Sequence, residues 1–128
     1  MNTPEEIRES LAQCHGTQEW YKLSILSPRM FYTQGVKALA DMAGAYWLLD
    51  AIASHQPRCE RDPMLRDIQF WTLKKREDGK WILICEKDTN DVAISQVIEY
   101  SDFPLPEGIK LYVEPMDKYM VILLPSEH

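Results

Sequence analysis

A helical spacing of apolar residues is the clearest pattern in the first half of the chain. From Val36 the apolar positions keep a period of about 3.6 residues to about Ser54, and Thr33 is the candidate N-cap. Gly44 interrupts this pattern, and a glycine in a helix interior costs about 1 kcal/mol relative to alanine. The pattern therefore predicts either two abutting helices or one helix that packs closely at Gly44.

The first 26 residues are predicted to form a shorter helix and a short strand. Thr3 offers an N-cap hydroxyl and Glu6 follows three residues later, which is the pattern of a capping box. We expect this helix over about 4–14. The aromatic and branched residues of 20–26 then predict a strand, which Ser27-Pro28 closes.

From residue 67 onward the apolar period changes to two, which is the spacing of strands. Predicted strands cover, in order, 67–76, 80–87, 92–100, 109–114 and 119–124. The last of them does not alternate, so it must be covered on both faces, and we expect it inside the sheet. The segment before these strands, 55–63, carries two prolines among charged residues and is predicted to be an exposed loop.

Asp78-Gly79 predicts a hairpin between the first two of these strands. A two-residue turn would place Arg76 opposite Trp81. A three-residue turn with a glycine bulge would instead place Leu73 opposite Leu83 and Trp71 opposite Cys85. The sequence leaves both registers open.

This order of elements predicts an α+β fold. We expect a mainly antiparallel sheet of five to six strands with two or three helices packed on one face. The chain has 128 residues, 45% of them hydrophobic, which suffices for one core without metals or disulfides. We therefore expect a single domain over 1–128.

The acidic excess lies in the last third of the chain. Residues 1–85 carry eleven acidic and eleven basic side chains, whereas 86–128 carry nine and three, which accounts for the net charge of -6. An acidic surface repels phosphates, so nucleic-acid binding is disfavoured. The exception would be the hairpin tip 74–80, with Lys74, Lys75, Arg76 and Lys80, although Glu77 and Asp78 favour a solvated tip of mixed charge.

Cysteine usage and the N-terminus favour the cytoplasm. Three cysteines cannot all pair within the chain, and the first residues have neither the basic start nor the apolar stretch of a signal peptide. The longest uncharged, mostly apolar run, 42–49, is far shorter than the roughly 20 residues of a membrane span. We expect no membrane segment.

Three sequence blocks resemble a known domain family. They are Phe31-Tyr32-Thr33-Gln34-Gly35-Val36 running on to Gly44-Ala45-Tyr46-Trp47-Leu48-Leu49-Asp50-Ala51-Ile52-Ala53, then Tyr100-Ser101-Asp102-Phe103-Pro104-Leu105, and finally Leu123-Leu124-Pro125-Ser126-Glu127. Together they are similar to an uncharacterised bacterial domain-of-unknown-function family of about this length. The resemblance implies a bacterial, single-domain, intracellular protein, and it transfers no catalytic residue. His128 stands where that family would lead us to expect an aromatic residue.

Motifs for cofactors and metals are weak in this sequence. The five glycines never fall in a phosphate-loop or dinucleotide spacing, so we expect no cofactor. For a metal the chain offers only Cys14-His15 and the pair His55 and Cys59, which Pro57 keeps off a common helix face. We expect no metal site. Cys14-His15 is also a weak nucleophile pair, since adjacent side chains point in different directions.

Asp50 is the most informative polar position. It lies on the same side of the predicted helix as Tyr46 and Trp47, four and three residues before it. The carboxylate either faces solvent or occupies an aromatic-lined recess, where Asp102 could converge on it. Such a pair would serve acid–base chemistry or grip a ligand. The candidate ligand-binding residues are therefore Tyr46, Trp47, Asp50 and Asp102, with the two aspartates as the catalytic candidates.

The leading interpretation is a non-enzymatic binding or protein-interaction module. The alternative is a small enzyme that uses Asp50 and Asp102, and a third hypothesis is weak nucleic-acid binding through 74–80. Strands 67–76 and 80–87 have apolar residues on both faces while the helices cover one, so we expect a homodimer. A monomer would need another cover, for which 55–63 is the candidate.

The polar end of the chain directly follows the strand expected inside the sheet. Glu127 can accept a hydrogen bond from a helix N-terminal amide or pair with a basic side chain. We expect it to bond to the body of the domain near the start of the helix that Thr33 caps.

Overall fold

The computed structural model describes residues 2–13 and 19–128. The described helices are α1 (Pro4–Ala12), α2 (Gln34–Ala43), α3 (Tyr46–Ser54), α4 (Gln56–Cys59) and α5 (Pro63–Asp67). The described strands are β1 (Trp20–Ser24), β2 (Ser27–Thr33), β3 (Gln69–Lys75), β4 (Trp81–Asp88), β5 (Asp91–Ile98), β6 (Ile109–Met116) and β7 (Tyr119–Leu123). A 3₁₀ turn at Pro125–Glu127 follows the last strand.

The strands form one sheet in the order β1-β2-β7-β6-β3-β4-β5. All neighbouring strands are antiparallel except β2 and β7, which run parallel. The predicted α+β class with a mainly antiparallel sheet is confirmed, and so is the internal position of β7. The predicted numbers were too low, because the described residues form seven strands and five helices.

The strand that the sequence missed is β2. Ser27-Pro28 indicated a break, yet these residues begin a strand whose ladder to β7 starts only at Met30. Pro28 is exposed and precedes that ladder, so its missing N–H costs no hydrogen bond to β7. The chain therefore turns at Ile25 and Leu26, which are both highly exposed.

The helical segment after Thr33 is divided at Gly44, which confirms the first of the two alternatives. Gly44 adopts φ 62° and ψ 40° at the end of α2, the left-handed conformation that favours glycine. The Thr33 hydroxyl caps α2 by accepting from the Val36 amide. At the N-terminus the capping box of Thr3 and Glu6 is confirmed. The predicted end of α1 at Cys14 lies outside the described residues.

The prediction of an exposed loop at 55–63 was wrong. The segment contains α4 and leads into α5, and Gln56 and Cys59 are buried. Gln56 and Gln69 exchange two amide hydrogen bonds of 2.9 Å, and the Trp71 indole donates to the Gln69 oxygen. The contacts of Gln56 with β3 therefore stabilise a helical conformation in a segment whose prolines and charged residues indicate a loop.

The hairpin adopts the second of the two predicted registers. Leu73 pairs with Leu83 and Trp71 with Cys85. All four side chains are buried, as the alternation of a strand requires when one of its faces meets the core.

Alternate side chains of the sheet point to opposite faces. We call the face that carries Trp71, Leu83 and Leu111 the core face. Its buried side chains form one cluster with apolar residues from every described helix, including Ile7, Leu39, Leu48, Cys59 and Leu65. We call the opposite side of the sheet the open face.

The ion pair between Arg8 and Glu107 joins α1 to the loop that precedes β6. The Arg8 guanidinium donates two hydrogen bonds of 2.8 Å to the two carboxylate oxygens. This bidentate contact lowers the pKa of Glu107 to about 2. It fixes one end of the sheet to the first helix.

We expect Glu107→Gln to lose the acid-sensitive part of the stability that this ion pair supplies. Because the folded pKa of Glu107 is lowered from 4.5 to about 2, the contribution is present above about pH 4.5 and disappears as the pH falls toward 2. In urea melts the wild type should be more stable than the variant by a constant free energy from pH 7 to about 4.5, and this difference should shrink as the pH falls to 2. Glu9→Gln, an exposed change on α1, is the control. A difference in unfolding free energy between wild type and Glu107→Gln that stays constant down to pH 2 would contradict the prediction.

Candidate functional site: the open face of the sheet

The open face over β6, β3, β4 and β5 presents an apolar surface. Its side chains alternate with those of the core face, and they are half-buried or, at Val97, 42% exposed. The apolar members of this surface are Phe70, Ile82, Ile84, Val97 and Tyr112. An apolar surface of this kind is a candidate site of contact with another molecule.

Aromatic rings organise two parts of this face. The rings of Phe70 and Tyr112 meet edge to face at 5.1 Å between their centroids. On the same face, toward the edge formed by β1, β2 and β7, Phe31 lies 4.7 Å from Tyr119 and 6.4 Å from Trp20. Tilted and edge-to-face geometries such as these are the favourable arrangements of aromatic pairs.

The C-terminal residues 124–128, which we call the tail, lie between these two parts. The His128 imidazole contacts the Tyr112 ring edge to face and its Nδ1 lies 2.8 Å from a Glu114 carboxylate oxygen. Both partners belong to the open face of β6. Val121 and Leu123, which lie beneath, are fully buried although they are outside the main core cluster. The tail therefore covers the open face at β7 and leaves it uncovered at β3, β4 and β5.

Glu127 holds the tail against the fold, as the sequence predicted. Only 7% of the residue is exposed. The Thr33 hydroxyl donates to one carboxylate oxygen at 2.6 Å, and the Leu124 amide donates to the same oxygen at 2.9 Å. The Gly35 amide donates to the other oxygen at 3.3 Å. The carboxylate therefore lies at the N-terminus of α2, where the helix dipole favours a negative charge.

Charges divide the open face along the strand direction. Glu86 lies beside Phe70 on the neighbouring strand and marks an acidic end, together with Asp88. Lys74 lies beside Ile82, two rows further along, and marks a basic end. At the acidic end a shallow recess of about 350 Å³ lies between Phe70, Tyr112 and the turn that joins β4 to β5.

The candidate residue Tyr46 has Asp41, and not Asp50, as its hydrogen-bond partner. Its hydroxyl donates to Asp41, which also pairs with Lys37 at 2.7 Å. The Lys37 contact and the Tyr46 hydroxyl lower the pKa of Asp41, and donation to this carboxylate raises the pKa of Tyr46. Sequence reasoning missed Asp41, although its spacing of four from Lys37 signals an ion pair on a helix.

The other candidate residues take no part in the hydrogen bonds of that cluster. Trp47 is half-buried and packs against the main core. Asp50 and Asp102 are exposed, and among the described residues neither makes a hydrogen bond or an ion pair. The turn at Asp102 is bonded instead by the Ser101 hydroxyl, which accepts from the Phe103 amide.

The described cysteines lie in the core as free thiols. Burial raises the pKa of Cys59 to about 11 and that of Cys85 to about 12. His55, the other member of the weak metal pair, has its Nε2 2.7 Å from the Gln96 side-chain oxygen. Cys14-His15 lies outside the described residues.

The basic hairpin tip is partly neutralised. Arg76 pairs with Asp78 at 3.0 Å and Lys80 pairs with Glu99 at 3.0 Å. Lys74 and Lys75 are exposed. Half of the cations that suggested a nucleic-acid contact are therefore already paired within the protein.

The helices of the described residues are all too short or too polar to cross a membrane.

Comparison with known proteins places the chain in one family. No curated protein and no solved structure matches the chain significantly. A family model described as a family of unknown function (DUF6876) matches residues 5–128. The chain therefore belongs to the DUF6876 family, in agreement with the uncharacterised domain family that its sequence resembles.

Proposed function

We propose that the protein is a non-enzymatic interaction module that pairs with a second copy of itself through the open face of β3, β4, β5 and β6. The observation that carries this proposal is the apolar surface at Phe70, Ile84 and Tyr112, opposite the face on which the helices build the core. Two sheets pack face to face about 10 Å apart, with side chains interdigitating. A second sheet would bury these rings and branched side chains.

The arrangement of charge supports a second copy as the occupant. A two-fold axis that lies in the interface and runs perpendicular to the strands reverses the strand direction of the partner. This operation brings the basic end at Lys74 over the acidic end at Glu86 of the other copy, twice in each dimer. An axis parallel to the strands would place like charges together. The surface is thus self-complementary in one orientation.

The positions of the candidate catalytic residues also support a module over an enzyme. Acid–base catalysis needs carboxylates with an altered environment and a shared site. Asp50 and Asp102 are both exposed to solvent and have no polar partner among the described residues. The buried free thiols of Cys59 and Cys85 support a reducing compartment such as the cytoplasm.

We expect Ile84→Lys to convert the dimer into a monomer. The substitution places a charge at the centre of the apolar surface, where a second sheet would have to desolvate it. Sedimentation equilibrium at tens of micromolar protein should give a dimer mass for the wild type and a monomer mass for the variant. Met64→Lys, an exposed apolar-to-lysine change on α5, is the matched control and should remain a dimer. A monomeric wild type would contradict the proposal.

A charge exchange tests the proposed orientation. Lys74→Glu makes the open face acidic and Glu86→Lys makes it basic, so each variant alone should associate more weakly than the wild type. An equimolar mixture should form a heterodimer, because each acidic surface then meets a basic one. A mixture that associates no better than the separate variants would contradict the two-fold arrangement.

A further inference from the structure

A cleft of about 500 Å³ opens beside the apolar surface, at the end of the sheet. It lies between the last turn of α1, the loop before β6 and the first residues of the tail. Most of its lining is apolar and comes from Leu11, Ala12, Leu105, Ile109, Leu124 and Pro125. Its volume falls in the range of small-ligand sites, which are also mostly apolar with a few polar groups.

The polar groups of the cleft give it a positive wall. Lys110 lines it from β6 together with Thr72 from β3. Arg8 also reaches the rim, but Glu107 already takes both of its hydrogen bonds. Lys110 also lines the recess at the acidic end of the open face, but among the described residues it makes no ion pair or hydrogen bond.

We propose that this cleft binds a small amphipathic carboxylate, with its apolar chain on the Leu105 side and its carboxylate at Lys110. An apolar lining next to one unpaired cation matches a ligand with the same division into chain and head group. Lys110 and Thr72 also belong to the open face of the proposed dimer, whereas Ile84 and Lys74 do not line the cleft. Octanoate binding to the Ile84→Lys variant therefore tests the cleft apart from the dimer.

Octanoate is the probe for this site. Isothermal titration calorimetry should detect its binding to the wild type. Hexanoate should bind more weakly than octanoate, and decanoate more tightly. Each methylene that enters an apolar cleft is expected to raise the affinity about three- to fourfold until the cleft is full. Octanol, which lacks the charge, should bind about tenfold more weakly than octanoate. Absence of octanoate binding at millimolar concentrations would overturn the proposal.

Variants place the ligand in the cleft. Lys110→Gln should weaken octanoate binding about tenfold and leave octanol binding unchanged. Lys74→Gln, which removes a lysine outside the cleft on the same face, is the matched control. Ala12→Trp should fill the cleft from an exposed position at the end of α1 and abolish binding, whereas Ala12→Ser should retain it. Octanoate binding that is unaffected by Lys110→Gln or by Ala12→Trp would overturn the assignment.

Discussion

Gly108→Ala is expected to destabilise the protein by about 3 kcal/mol or more, the range of severe single substitutions. Gly108 has φ 78°, which L-residues rarely adopt. In addition, a Cβ atom at this position would lie 1.9 Å from the backbone oxygen of Leu73. Backbone cannot move aside as a flexible side chain does, so β3 and the start of β6 would have to separate. Urea unfolding measures the loss of free energy.

Gly79→Ala is the matched control for this effect. Gly79 has a similar φ of 87°, but nothing lies within 4 Å of the added Cβ atom. The control therefore carries only the conformational cost, about 1–2 kcal/mol. Equal losses for the two variants would show that β3 accommodates the methyl group, and the close approach at Gly108 would then have no energetic consequence.

The turn before β6 shows what the sequence could and could not predict. The run Pro104-Leu105-Pro106-Glu107-Gly108 indicates a break in the chain from its composition alone. The contact of Gly108 with the Leu73 carbonyl depends on the pairing of β3 with β6, which are far apart in sequence. Local sequence signals therefore located the turn, whereas packing between distant strands determines whether a side chain is tolerated at Gly108.

The same division explains the missed elements. β2 and α4 both contain prolines, which are ordinarily signs of a loop. Pro28 precedes the ladder to β7, and Pro57 lies in the first turn of α4, so neither ring interrupts a required hydrogen bond. The buried amide pair of Gln56 and Gln69 supports α4, and no periodicity of apolar residues reveals such a pair.

The candidate site was predictable in part. Apolar residues on both faces of β3 and β4 indicated a second surface that the helices leave open, and the sheet has this surface. The sequence predicted the contact of Glu127 with the start of α2, but not that the tail crosses the open face, because its path depends on the parallel pairing of β2 with β7. Tyr46 was recognised as a polar aromatic candidate, but its partner Asp41 lies on the other side of the helix break.

Glu127→Ala is expected to cost about 2–4 kcal/mol, because it removes the acceptor of three buried hydrogen bonds. The Thr33 hydroxyl and the amides of Gly35 and Leu124 all donate to this carboxylate. Buried donors left without an acceptor carry a desolvation penalty, and a hydrogen bond to a charged group is stronger than a neutral one. The tail would leave β7, and Val121 and Leu123 would be exposed to water.

Thermal and urea unfolding measure this loss, which at this chain length corresponds to a fall in Tm of about 10 °C. Glu127→Gln removes the charge and keeps the size of the side chain. Because its amide nitrogen would face a backbone donor, we expect an intermediate loss of about 1–2 kcal/mol in the free energy of unfolding. Glu77→Ala, an exposed glutamate at the hairpin tip, should change the free energy of unfolding by less than about 0.5 kcal/mol. If Glu127→Ala and Glu77→Ala had the same Tm and the same free energy of unfolding, the tail would contribute nothing to stability. The burial of β7 on the open face would then need another cause.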